Sequence, residues 1–65
     1  MNWDIAKGKW NQVKGAAKEK WGELTDDELD QAEGNRDQLI GTVQEKYGKT
    51  KAEAEREVDE FVASL

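Results

Sequence analysis

The sequence predicts an all-α domain, a four-helix bundle made of two related helical hairpins, and three observations point to it. A segment recurs: GKWNQVKGAAKEKWG, Gly8 to Gly22, returns as GNRDQLIGTVQEKYG, Gly34 to Gly48, displaced by 26 residues. Apolar residues return at intervals of three and four along most of the chain. No stretch alternates with period two between turn signals, so no strand is expected.

The first helix is read from Trp3, Ala6, Trp10, Val13 and Ala17, with Trp21 continuing the stripe and Gly22 ending it. At 100° per residue, Trp3, Trp10 and Trp21 fall within about 20° of one line. The chain contains no Pro, so nothing forces a kink in this helix. The second helix opens at Thr25, whose hydroxyl is placed to cap, and Glu28 completes a capping box. Leu24 and Leu29 occupy the two positions of a hydrophobic staple. Gly34 suits the left-handed conformation past the end of this short helix, which stops near Glu33.

Asn35 caps the third helix, with Leu39, Ile40, Val43 and Tyr47 on its apolar face and Gly48 ending it. Thr50 and Glu53 form a second capping box. They open a fourth helix whose buried stripe is Ala54, Val58, Phe61, Val62 and Leu65. Connections of two to four residues then make consecutive helices neighbours. Gly15 and Gly41 match across the repeat and each sits in mid-helix, where Gly costs ~0.5–1 kcal/mol relative to Ala. The preferred reading is close approach of the first and third helices at these glycines, against the blander reading of tolerated substitutions.

Composition bounds the rest. Residues 1–65 form one small domain, and a chain of this size buries only ~60% of the surface its unfolded form exposes. Leu, Ile, Val and Phe number eleven in 65 residues and the net charge is −5, which makes a core hard to assemble. Three Trp and one Tyr compensate, each ring burying ~150–250 Å². There is no Cys and no His, so neither a disulfide framework nor an imidazole metal ligand or base is available. No run is apolar enough for a membrane span and no basic-then-apolar leader opens the chain, so a cytoplasmic protein is the simplest expectation.

Fifteen carboxylates guarantee close pairs, such as Asp26 with Asp27 and Glu57 with Asp59 and Glu60. They fall at helix starts or on polar faces, where capping and solvation explain them, and no enzymatic site is read from them. The density of Asp26, Asp27, Glu28 and Asp30 lacks the glycine-containing spacing of a calcium loop. Neither a metal nor any other cofactor is expected.

Charge is unevenly spread. Residues 1–22 carry a side-chain net of +3 and residues 23–65 a net of −8. Lys7, Lys14 and Lys18 flank one side of the Trp stripe, and Lys9 and Lys20 the other. Trp with flanking Lys suits a helix lying on a membrane or gripping phosphates. It also suits a core helix whose Lys stems cover its edge. The core reading is preferred, because a chain poor in aliphatics needs its indoles inside. Lys7, Lys14 and Lys18 are kept as the candidate contact surface. Candidate partners are another protein, a second copy of the chain, or a membrane surface; nucleic acid suits a domain of pI 4.6 least.

The stretch KGAAKEKWGELTDDELDQAEGNRDQLIGTVQEKYG resembles the CsbD-like family of small bacterial stress-response proteins. The likeness is carried by Lys14-Gly15, Trp21-Gly22, Leu24-Thr25-Asp26-Asp27, Glu33-Gly34, Arg36-Asp37-Gln38-Leu39, Gly41, Gln44-Glu45 and Tyr47-Gly48. It implies a bundle of two roughly orthogonal helical hairpins, similar to SAM-domain-like folds. It also implies a cytoplasmic protein under stress control, acting without enzymatic turnover, and transfers no functional residues.

Overall fold

A computed structural model describes all residues 1–65 as five helices and no strand: α1 (Trp3–Gly8), α2 (Trp10–Lys20), α3 (Asp26–Ala32), α4 (Arg36–Tyr47) and α5 (Lys51–Ala63). They pack in chain order, α1 on α2, α2 on α3, α3 on α4 and α4 on α5. The molecule measures 28 × 21 × 18 Å.

The expectation of four helices is corrected to five, because the first breaks at Lys9 without any Pro. Lys9 leaves the helical region at φ −114° and ψ 30°. Its N–H bonds back to the carbonyls of Ile5 and Ala6, while its own carbonyl accepts from Gln12 and Val13. Tertiary contacts explain the turn. A straight helix from Trp3 to Lys20 would run ~27 Å, about the longest dimension of the molecule. Breaking at Lys9 folds Ala6 into the core with no exposed surface, while Trp10 donates its indole N–H to the Leu29 carbonyl at 2.7 Å.

Helix starts follow the sequence closely. Thr25 and Thr50 each accept from the backbone three residues on, and Glu28 and Glu53 each reach back to the threonine N–H. Asn35 caps α4 by accepting from the Gln38 N–H at 2.9 Å. Caps of this kind contribute ~1 kcal/mol each.

Helix ends follow it less closely. Gly48 is left-handed at φ 63°, as expected. After α3 the left-handed conformation begins one residue early, at Glu33 with φ 49°, and continues through Gly34 at φ 81°. Gly22 does not terminate the first hairpin helix. Trp21 does, turning out at φ −118° and ψ 81° so that its ring enters the core.

One cluster of fifteen buried hydrophobic residues fills the centre, with no buried polar or charged residue among them. Leu29, Leu39, Val13, Val43 and Val58 are its most enclosed large side chains. Trp10 and Trp21 are buried, while Trp3 and Tyr47 are half-buried and pack against the cluster. The Trp21 and Phe61 rings meet edge to face at 4.9 Å between centroids. Leu65, expected on the buried stripe of the last helix, lies past the end of α5 and is 43% exposed.

The close approach expected at Gly15 and Gly41 is not there. Both are exposed, and a Cβ added to either meets nothing within 4 Å. The tight contact is at Gly34 instead, where an added Cβ would stand 2.7 Å from the Lys7 Cα. Gly34 is buried against the backbone of α1.

Candidate functional site

The structure divides the lysines of the N-terminal third of the chain. Lys14 projects from α2 and pairs with the Asp30 carboxylate of α3. One turn along, Lys18 pairs with Asp26 at 2.9 Å. The two residues are four apart on one face of α2, so a pair of cationic stems clamps that helix to the acidic side of α3. Asp30 and Asp26 thus each serve a structural partner. Lys7 is separate from this clamp: it is exposed, makes no ion pair, and lies where α1 passes beneath Gly34.

Interhelical charge pairs continue around the molecule. Lys46 of α4 reaches Glu28 of α3 at 3.3 Å. The Arg36 guanidinium of α4 grips Asp59 of α5 through two parallel bonds of 2.8 and 2.9 Å. This fork geometry is the stronger form of the pair. Lys49, in the turn before α5, pairs with Glu57, whose other oxygen accepts from the Trp21 indole at 3.3 Å. Glu57 and Asp59, close in sequence, therefore turn to different neighbours. The Tyr47 hydroxyl accepts from the Glu23 N–H at 3.2 Å, tying α4 to the turn after α2.

These contacts reinforce the charged forms of the groups they join. The Lys18 ammonium lowers the pKa of Asp26. The Thr25 N–H, with Lys46 behind it, lowers that of Glu28, and the Thr50 N–H lowers that of Glu53. Lys49, helped by Trp21, lowers Glu57, and Arg36, helped by Trp3, lowers Asp59. On the cationic side, the hydrogen bond to Asp30 raises Lys14, and that to Asp59 raises Arg36. Every displaced group is displaced towards staying charged. A general acid at neutral pH needs the reverse, a carboxyl held up by burial.

Two shallow grooves flank Lys7. One, of about 370 Å³, is lined by Lys7, Gly8, Lys9, Trp10, Asn11 and Gln12. The other, of about 200 Å³, runs between Lys7 and the α3–α4 turn, past Gln31, Glu33, Gly34 and Asn35. Each is polar and open, with a single hydrophobic residue in its wall. No group of three or more Asp and Glu side chains is arranged to hold a metal ion. No helix is long and apolar enough to cross a membrane.

Sequence reasoning missed the α1–Gly34 seat and the Arg36–Asp59 and Lys49–Glu57–Trp21 links. The only signal for the seat was that Gly34 stands at a helix end, where left-handed geometry already explains a glycine. The links join residues 23 and 36 positions apart in the cases of Arg36–Asp59 and Trp21–Glu57, beyond any helical period.

Comparison with known proteins gives a consistent result. The model of a family described as CsbD-like matches residues 4–56. A UPF0337 protein of Bordetella pertussis is 62% identical over 61 residues, covering 94% of this chain and 92% of the relative. The UPF0337 protein YjbJ of Escherichia coli K12 is 57% identical over 58 residues, covering 89% and 84%. A UPF0337 protein of Pseudomonas aeruginosa is 52% identical over 61 residues, covering 94% of each.

Proposed function

The chain belongs to the CsbD-like family, and from that premise we propose that it is a cytoplasmic stress-response protein that acts by weak binding or protection rather than by turnover. The observation that carries this reading is the segregation of its charge: no polar or charged residue is buried, so all ten basic and fifteen acidic side chains lie outside the apolar core. With an apolar interior and a net charge of −5, the protein offers other macromolecules a mixed-charge, strongly hydrated surface. That suits a protein accumulated to high concentration under osmotic or envelope stress. Its core is a pair of hairpins, α2–α3 and α4–α5, and the repeated segment with its two capping boxes supports reading them as copies of one unit. On this reading α1 is an added strap, and Lys14 and Lys18 of the contact surface serve mainly to hold α2 on α3.

The test is aggregation of a labile client enzyme on drying or heating, with the protein added at increasing ratio. Protection beyond that given by equal charge in unfolded acidic peptide supports the reading. Equality between the two would remove any role for the fold.

A second reading rests on α1. Its Ile5 is 46% exposed, Trp3 is half-buried, and Lys7 and Lys9 are free of ion pairs, a composition suited to an anionic membrane surface. Tryptophan emission titrated with anionic vesicles decides it. A spectrum unmoved by vesicles rejects this reading.

A further inference from the structure

We propose that α1 is exchanged between two copies of this chain, so that the Gly34 seat of each receives the α1 of the other in a domain-swapped dimer. The hinge is the single residue Lys9. Helical periodicity runs unbroken from Trp3 through Ala17, and Gly8 and Trp10 on either side of Lys9 are already helical. Returning Lys9 to helical dihedrals would fuse α1 and α2 into one rod of ~27 Å. Its N-terminal end would then stand clear of its own core.

Beyond the packing of its apolar face and the contact of Trp3 with Asp59 of α5, little holds α1 in its own molecule. It is the shortest helix and has no ion pair to another helix, whereas α2–α3, α3–α4 and α4–α5 are each linked by at least one. Of its six residues only Ala6 is buried, with Trp3 half-buried. Releasing it exposes Ala6, Trp3, Met1 and the face of Gly34. A second copy offers an identical seat and restores those contacts without any new surface. The swapped and closed forms therefore differ chiefly at the hinge and in the repulsion between two chains of charge −5. Salt screens that repulsion, so rising ionic strength favours the dimer.

The test is light scattering after size exclusion on the full chain, on Gly8→Ala/Lys9→Ala, and on Lys9→Gly. A Cβ at residue 8 meets nothing within 4 Å, so the double variant leaves the closed form unobstructed. Gly8 is helical in both forms, so residue 9 alone biases the exchange. With two hinges per dimer, the dimerisation constant should rise about twofold in the double variant and fall about tenfold in Lys9→Gly. The dimer fraction should also rise between about 0.05 and about 0.5 M salt.

Carbodiimide coupling of Lys7 to Glu33 across the seat, in a dimer mixed from light and heavy isotope-labelled chains, locates α1. Coupled peptides carrying one light and one heavy half are expected. Peptides of one isotope only would overturn the proposal, as would a double variant that stays monomeric at millimolar concentration. The variant Ile5→Glu should leave the dimer unchanged. Its loss there would instead assign the interface to the exposed apolar surface of α1.

Discussion

The Cβ that Gly34 lacks would stand 2.7 Å from the Cα of Lys7. The obstructing atom is backbone, so it cannot step aside as a side-chain end does. Gly34 also holds φ 81°, where L side chains are strained by ~1–2 kcal/mol. Gly34→Ala should therefore cost ~2–4 kcal/mol, from strain and overpacking together. Urea unfolding followed by circular dichroism checks it; a midpoint equal to the parent's would mean that α1 does not sit on this residue.

Gly15 and Gly41 should behave oppositely. Both are exposed in mid-helix with open space where a Cβ would go. Alanine at either should stabilise by ~0.5–1 kcal/mol, through helix propensity alone. For a domain of this size that is a rise of roughly 2–8 °C in Tm. A fall in Tm for either variant would reinstate the helix crossing that the repeat suggested.

The contrast between these glycines shows what could be read from the chain and what could not. Helix starts depend on four consecutive residues, so Thr25–Glu28, Asn35–Gln38 and Thr50–Glu53 announced them directly. The apolar stripes of α2, α4 and α5 were legible for the same local reason. The break at Lys9 was not, since Gly8-Lys9 is compatible with a helix and only the distant contacts Trp10–Leu29 and Lys7–Gly34 select the turn. The repeat misled at Gly15 and Gly41 because matched sequence positions need not share a neighbour. At the candidate contact surface, Lys7, Lys14 and Lys18 were visible but the α3 carboxylates that take up Lys14 and Lys18 were not, because pairing across helices carries no sequence period.

Trp10→Phe should destabilise by about 1–3 kcal/mol. The indole N–H makes a buried 2.7 Å bond to the Leu29 carbonyl, which otherwise receives only the Glu33 N–H at 3.3 Å. Trp3→Phe, at a half-buried ring, should cost less. Thermal melts of the two variants side by side provide the comparison. Equal losses would show that ring volume, and not the bond to α3, sets the contribution of Trp10.

Stability should fall on acidification, and the sign follows from the carboxylates. Asp26, Glu28, Glu53, Glu57 and Asp59 are all lowered in the folded chain, so the unfolded chain binds protons first. Their contribution is complete above the ordinary values of 3.8 for Asp and 4.5 for Glu, and is lost as pH falls through the lower folded values. Lys14 and Arg36, raised, lose their contribution only above the ordinary lysine value of 10.5, which leaves neutral pH untouched. The urea midpoint should thus stay level from about pH 8 to about pH 5 and drop steeply below about pH 4. Glu57→Gln isolates one component, because it keeps an acceptor for the Trp21 indole and removes the charge facing Lys49. It should lower stability at pH 7 and flatten the acid limb. An acid limb identical to the parent's would mean that the Lys49–Glu57 pair contributes nothing to folding, leaving the capping carboxylates Glu28 and Glu53, with Asp26 and Asp59 in their pairs with Lys18 and Arg36, to account for all of the acid sensitivity.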